Sequence, residues 1–189
     1  MANATLALAA IALAVSLLSL LVNIGVIRRL REYASHAGAF PGFDSGPRPG
    51  APLPEFTAST ALGGSITAAD FANGNGCIAF LSSSCEACKS QLPLLGQYVD
   101  GLSIQHRRSL VVVAGDPKGE SAYAREGARF AQIVLEPESG SLIRAFEIRG
   151  FPTVIGVRDG QVTVSAPVVE ALTHQDAKRE RGETVSPSS

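Results

Sequence analysis

From Ala4 to Ile27 the chain is apolar on every face, without a charge, and Thr5, Ser16, Ser19 and Asn23 are its only strongly polar residues. About 20 such residues cross a bilayer as a helix, and a segment apolar all round has no polar side to turn toward water. Arg28, Arg29 and Arg31 close the run. A cleaved signal carries its basic residues ahead of a shorter apolar stretch. Here nothing basic precedes Leu6, so the pattern predicts an uncleaved transmembrane anchor over 4–27. Residues 28–54 change character: Gly38, Gly42, Gly46, Gly50, Pro41, Pro47, Pro49, Pro52 and Pro54 punctuate the second half of the stretch. This predicts an extended linker with no room for a helix. Residues 179–189 are charged, then rich in Ser and Pro, which predicts a disordered tail. A globular domain is left over 55–178, the usual size of one domain.

Inside that domain the periodicity alternates. Phe56–Ala58 and Ser65–Thr67 read as short extended pieces around Gly63-Gly64, and Ala69–Ala72 as one helical turn. Cys77–Leu81 and Ser109–Ala114 are apolar throughout, as strands buried on both faces are. After a Ser82-Ser83-Ser84 loop, Leu92, Leu95 and Val99 recur at helical spacing, so a helix is predicted from Cys85 to Val99, kinked by Pro93. A helix over Glu120–Ala131, a strand over Ile133–Leu135 and a helix over Ser141–Phe146 follow. Thr153–Val157 and Val162–Ser165 flank Arg158-Asp159-Gly160, and Asp-Gly between two strands predicts a hairpin. Val168–Lys178 is the closing helix. Alternating helices and strands that end in a hairpin predict an α/β domain with a mixed sheet.

Composition narrows the chemistry. The net charge of -1 over 189 residues gives a nucleic-acid partner no electrostatic support. Three cysteines are too few for a disulfide-stapled scaffold. Cys77 lies in an apolar strand and reads as a core residue. Cys85 and Cys88 enclose Glu86 and Ala87 at the start of the predicted helix, the spacing of a dithiol that cycles to a disulfide. The same pair could be half of a zinc site, but no second Cys pair exists and only His36, His106 and His174 could complete one. No metal or other cofactor is therefore expected. At a helix N-terminus the unpaired N–H groups and the positive dipole end favour the Cys85 thiolate. That thiolate would attack a substrate disulfide, and Cys88, one turn later, would resolve the mixed disulfide. Glu86 opposes the thiolate, because two negative charges side by side are unfavourable. This leans the site toward a mild reductant.

The stretch Phe146 to Val162, with Gly150-Phe151-Pro152-Thr153 at its centre, resembles the cis-proline and hairpin signature of thioredoxins, and Pro93 matches their helix proline. Leu62 to Phe71 is similar to the N-terminal hairpin of the membrane-anchored disulfide reductases of the TlpA and ResA type. Cys85-Glu86-Ala87-Cys88-Lys89 is similar to the motif of ResA-like proteins of cytochrome c maturation, and Phe80-Leu81-Ser82 resembles MauD, an accessory protein of methylamine dehydrogenase maturation. The resemblance covers nearly all of Glu55 to Lys178 and implies a thioredoxin-like fold. It also implies a cis Phe151-Pro152 bond, which would leave the Phe151 backbone free to pair with an extended substrate beside Cys85. The partners it implies are a protein disulfide, a membrane electron donor and the lipid around the anchor. The chain departs from the pattern at Ser84, where an aromatic residue is usual, at Ala87, where ResA-like motifs have proline, and at Ala79, where thioredoxins carry a buried acid.

Function and location each keep alternatives. A peroxidase of the peroxiredoxin type would use Ser82, three residues before Cys85, but needs a proline upstream, and none lies between Pro54 and Pro93. A redox-inactive binding module is opposed by the intact dithiol. Counting Arg28, Arg29 and Arg31 alone places the soluble part in the cytoplasm. The resemblance, and the persistence of disulfides outside the cytoplasm, place the redox domain on the other side, which is the expectation adopted.

Overall fold

The computed structural model describes Ser16 and residues 44–102, 107–115 and 122–181. Apart from Ser16, the expected anchor over 4–27 lies outside the described residues, as do 28–43 of the linker and 182–189 of the tail. Among the described residues, no helix is long and apolar enough to cross a membrane.

The sheet is built around one strand that is buried on both sides. This strand, β3 (Asn75–Ser82), follows a small antiparallel hairpin of β1 (Thr57–Ser59) and β2 (Ser65–Thr67) and a single 3-10 turn at Ala68–Phe71. It pairs in parallel with β4 (Arg107–Ala114), which pairs in parallel with β5 (Gln132–Glu136). On its other side it pairs antiparallel with β6 (Thr153–Arg158), which turns back as β7 (Gln161–Ala166). The order is β5-β4-β3-β6-β7, a mixed sheet. Side chains alternate across it. Cys77, Ala79 and Leu81 enter one core with α1 (Glu86–Gly101) and α4 (Glu170–Glu180), whereas Ile78 and Phe80 enter the other with Phe56, Ile66, Phe71 and Phe146.

The β6–β7 turn follows its sequence. Asp159 and Gly160 both have positive φ, 48° and 73°, as a two-residue turn matched to the strand twist requires. The Asp159 carboxylate also accepts the Gly74 N–H at 2.8 Å, which ties the turn to the start of β3.

Several boundaries differ from the periodicity. The helix predicted to Ala131 ends earlier, as α2 (Ala122–Gly127). A Cβ on Gly127 would stand 2.9 Å from Ile133 Cδ1, and the chain turns there, with Phe130 and Ala131 both donating to the Gly127 carbonyl. The helix α1 runs unbroken through Pro93. Proline forgoes only its own N–H there, while Leu92, Leu95 and Val99 keep the helix seated in the core. The closing helix starts two residues late, with Gln91 Oε1 accepting the N–H of its N-cap Val169 at 2.7 Å, and it runs on to Glu180, two residues into the predicted tail. Residues 44–54 of the predicted linker lie on the domain. Pro52 bridges to Gln161, Leu53 is buried, the Gly50 N–H donates to the Val162 carbonyl, and the Val162 N–H donates to the Ala51 carbonyl.

The short helix α3 (Ser141–Ala145), which leads to the Phe151-Pro152 loop, has no side-chain cap of its own. The buried carboxylate of Glu136, at the end of β5, supplies one from outside. It accepts the Ser141 hydroxyl at 2.7 Å, the Leu142 N–H at 3.0 and 3.1 Å, and the Ile143 N–H at 3.4 Å. A charged acceptor shared by three donors should contribute on the order of 2–3 kcal/mol. Glu136→Ala should lower the unfolding free energy by about that much in urea titrations, and Glu136→Gln by less, since it keeps one acceptor oxygen.

Candidate active site

The end of β3 and the start of α1 together build the site. After Ser82 the chain turns, and Cys85 N–H returns to the Ser82 carbonyl at 3.1 Å. Cys85 is the N-cap of α1, with extended φ and ψ of -91° and 112°. A cap is usually an oxygen; here Cys85 Sγ accepts the Cys88 N–H at 3.3 Å. The Cys88 N–H also reaches the Cys85 carbonyl at 3.2 Å, so sulfur and carbonyl share one first-turn donor.

Cys85 is partly exposed, whereas Cys88 is fully buried, and both are free thiols. Burial, and then contact with the Cys85 thiol, push the Cys88 thiol up to about 12. The two thiols thus differ in access, one partly exposed and the other buried and neutral one turn on. Cys77 is also buried and pushed up to about 12 by burial, as befits the core residue its strand suggested.

The Phe151-Pro152 bond is cis. Cys85 Sγ lies 3.7 Å from the Phe151 carbonyl oxygen, close enough for a weak S–H donor contact. Phe151 is half-buried and packs against both cores, and Pro152 is buried. Residues 66 positions apart are thus brought to one sulfur atom.

Ala87 is exposed beside the dithiol. Glu86 is exposed too. Its carboxylate meets Lys89 Nζ at 2.6 Å on the same turn. The pair lies in water. At Ala79, where a thioredoxin's buried acid would sit, the side chain is fully buried among Leu81, Cys88 and Val154.

Tyr123, on α2, carries no local sequence signal but is part of the site. Its hydroxyl donates to the Cys85 carbonyl at 2.9 Å, and its ring is buried. It holds the first turn of α1 from the outside, across 38 residues of sequence.

No protein-family model matches the chain, and no curated protein matches it. Solved structures do. The thioredoxin domain of a Bacteroides vulgatus thiol-disulfide oxidoreductase superposes with a TM-score of 0.60 at 19% identity, over 70% of this chain and 98% of that one. The chain has the thioredoxin fold. A thiol:disulfide interchange protein from Bacteroides sp. gives a TM-score of 0.58 at 18% identity, over 72% of this chain and 91% of that one. The pneumococcal exposed lipoprotein thioredoxin of Streptococcus pneumoniae gives 0.51 at 20% identity, over 67% and 98%.

A thiol near 12 is ionised at neutral pH only on the order of one part in 10⁵. Resolution by Cys88 should therefore accelerate about tenfold per pH unit between pH 7 and 10, because only the thiolate attacks. Loading Cys85 with a chromogenic thiol and following its release by stopped flow measures this. A rate flat over that range contradicts a buried neutral Cys88.

Proposed function

We propose that this chain is a membrane-tethered thiol-disulfide oxidoreductase that reduces protein disulfides outside the cytoplasm. The observation that carries the reading is the meeting of three features at one atom. Cys85 Sγ caps a helix, has the Cys88 thiol one turn behind it, and faces the Phe151 carbonyl of a cis-proline loop.

The steps balance. The Cys85 thiolate attacks one sulfur of a substrate disulfide, the substrate S–S bond breaks, and one substrate thiolate leaves. The Cys88 thiolate then attacks Cys85 Sγ, the mixed disulfide breaks, and the second substrate thiolate leaves. Two electrons have passed to the substrate, and Cys85 and Cys88 are joined. A dithiol donor at the membrane returns the pair to the free thiols by the reverse exchange.

The apolar run over 4–27 supports the tether, and the arginines after it remain the argument against this orientation. Redox logic favours the outside, where client disulfides persist, and one of the similar structures is named as an exposed lipoprotein. The likeness of Cys85–Lys89 to ResA-type motifs and of Phe80–Ser82 to MauD supports a role in maturing c-type cytochromes or methylamine dehydrogenase.

Two experiments test the reading. Cys88→Ser should accumulate mixed disulfides with client proteins in cells, whereas Cys85→Ser should form none and lose insulin reduction. Mixed disulfides that survive in Cys85→Ser and vanish in Cys88→Ser would reverse the roles. For location, alkaline phosphatase fused after Ser189 should be active, since it needs its own disulfides. An inactive fusion beside an active cytoplasmic reporter at the same point puts the domain in the cytoplasm.

A further inference from the structure

Ser45 lies in the stretch that composition reads as linker, yet it is buried. Its hydroxyl stands 3.0 Å from the Arg149 N–H and 2.8 Å from Thr153 Oγ1. Thr153 Oγ1 in turn lies 2.7 Å from the Gly150 carbonyl. Counting protons fixes the direction of this chain. A carbonyl only accepts, so Thr153 must spend its one hydrogen on Gly150. Ser45 must then donate to Thr153 and accept from Arg149. One hydroxyl thus closes a ring over residues 149–153, the loop that carries Phe151 and Pro152.

The rest of the segment holds Ser45 in place. Its carbonyl accepts the Ser165 hydroxyl at 2.8 Å, from β7. Gly46 N–H donates to the Glu147 carbonyl at 3.3 Å, and Glu147 has a left-handed backbone, φ 52°, that is costly without outside support. Asp44 pairs with the Arg149 guanidinium. Gly46 itself has φ 83°, and a Cβ there would stand 2.4 Å from Ser165 Oγ. The fit therefore requires glycine after Ser45.

We propose that residues 44–46 are a strap that positions the cis-proline loop for its protein substrate, with Ser45 as the positioning residue. This rests on the thiol-disulfide exchange proposed above. Ser45 touches neither thiol and acts through the loop. Apart from the weak Cys85 Sγ contact with the Phe151 carbonyl, the dithiol is held by Tyr123 and by the Cys88 N–H. Loosening the strap should therefore weaken recognition of an extended protein chain and leave the reactivity of Cys85 alone.

The test compares the full chain with its Ser45→Ala variant by two independent readouts. The first is amide hydrogen exchange of the 149–153 segment, which needs no activity. It should quicken in Ser45→Ala, because the Arg149 N–H loses its acceptor. The second is steady-state reduction of insulin. KM should rise about three- to tenfold, the size of one net hydrogen bond, with kcat within about twofold and the iodoacetamide rate at Cys85 unchanged. Faster exchange with an unchanged KM overturns the positioning role, as does a Cys85 alkylation rate that changes along with KM. Unchanged exchange overturns the strap itself. If Ser45→Ala does not fold, Ser165→Ala, which frees only the Ser45 carbonyl, should show the same pattern more weakly, and its absence there also overturns the strap. A wild-type chain with no reductase activity removes both the proposed function and the substrate role, while the exchange readout still decides whether the strap holds the loop.

Discussion

The site depends on a single handover, where a strand buried on both faces passes the chain to a helix whose first N–H groups need an acceptor. β3 cannot shift, because Ile78 and Phe80 are locked in one core and Cys77, Ala79 and Leu81 in the other. A slip of one residue would exchange the two sets. The start of α1 is therefore fixed to within a residue, and the residue at the cap is Cys85. The Cys88 N–H that reaches its sulfur is an ordinary consequence of helix geometry. The hydrogen bond that caps α1 therefore also fixes the Cys85 sulfur at the helix end.

Much of this was legible in the sequence because it is local or periodic. The apolar runs of β3 and β4 reported burial on two faces, Asp159-Gly160 reported the hairpin, and Cys85 to Cys88 reported a dithiol one turn apart. The loop at Phe151-Pro152 was legible only through resemblance, since nothing in the spacing says that it must meet Cys85. The helix that ends at Gly127 was misread because a polar-apolar pattern continues past the point where close approach to Ile133 stops it.

The parts that were not legible are contacts between distant residues of unremarkable type. Tyr123 reaches Cys85 across 38 residues, and Ser45 reaches Thr153 across 108. A serine in a Gly/Pro-rich stretch has the composition of a linker whether or not it docks. Only the sheet beneath it, with Ser165 and Thr153 at the right heights, turns it into structure. The Glu86–Lys89 pair is an intermediate case. Its i,i+3 spacing on a helix is local, but whether the two side chains close on each other depends on their rotamers, which the spacing does not fix.

The balance of charge bears on which way electrons run. A dithiol becomes a strong oxidant when its reduced thiolate is heavily stabilised, by cations or by several donors. Here the described surroundings give Cys85 one backbone N–H. Lys89, the cation on the same turn, is committed to Glu86. Cys88 is kept neutral by burial, and Ala79 adds no charge beside it. Under the function proposed above, this sparse set of donors and cations suits a dithiol that gives its electrons away rather than a strong oxidant.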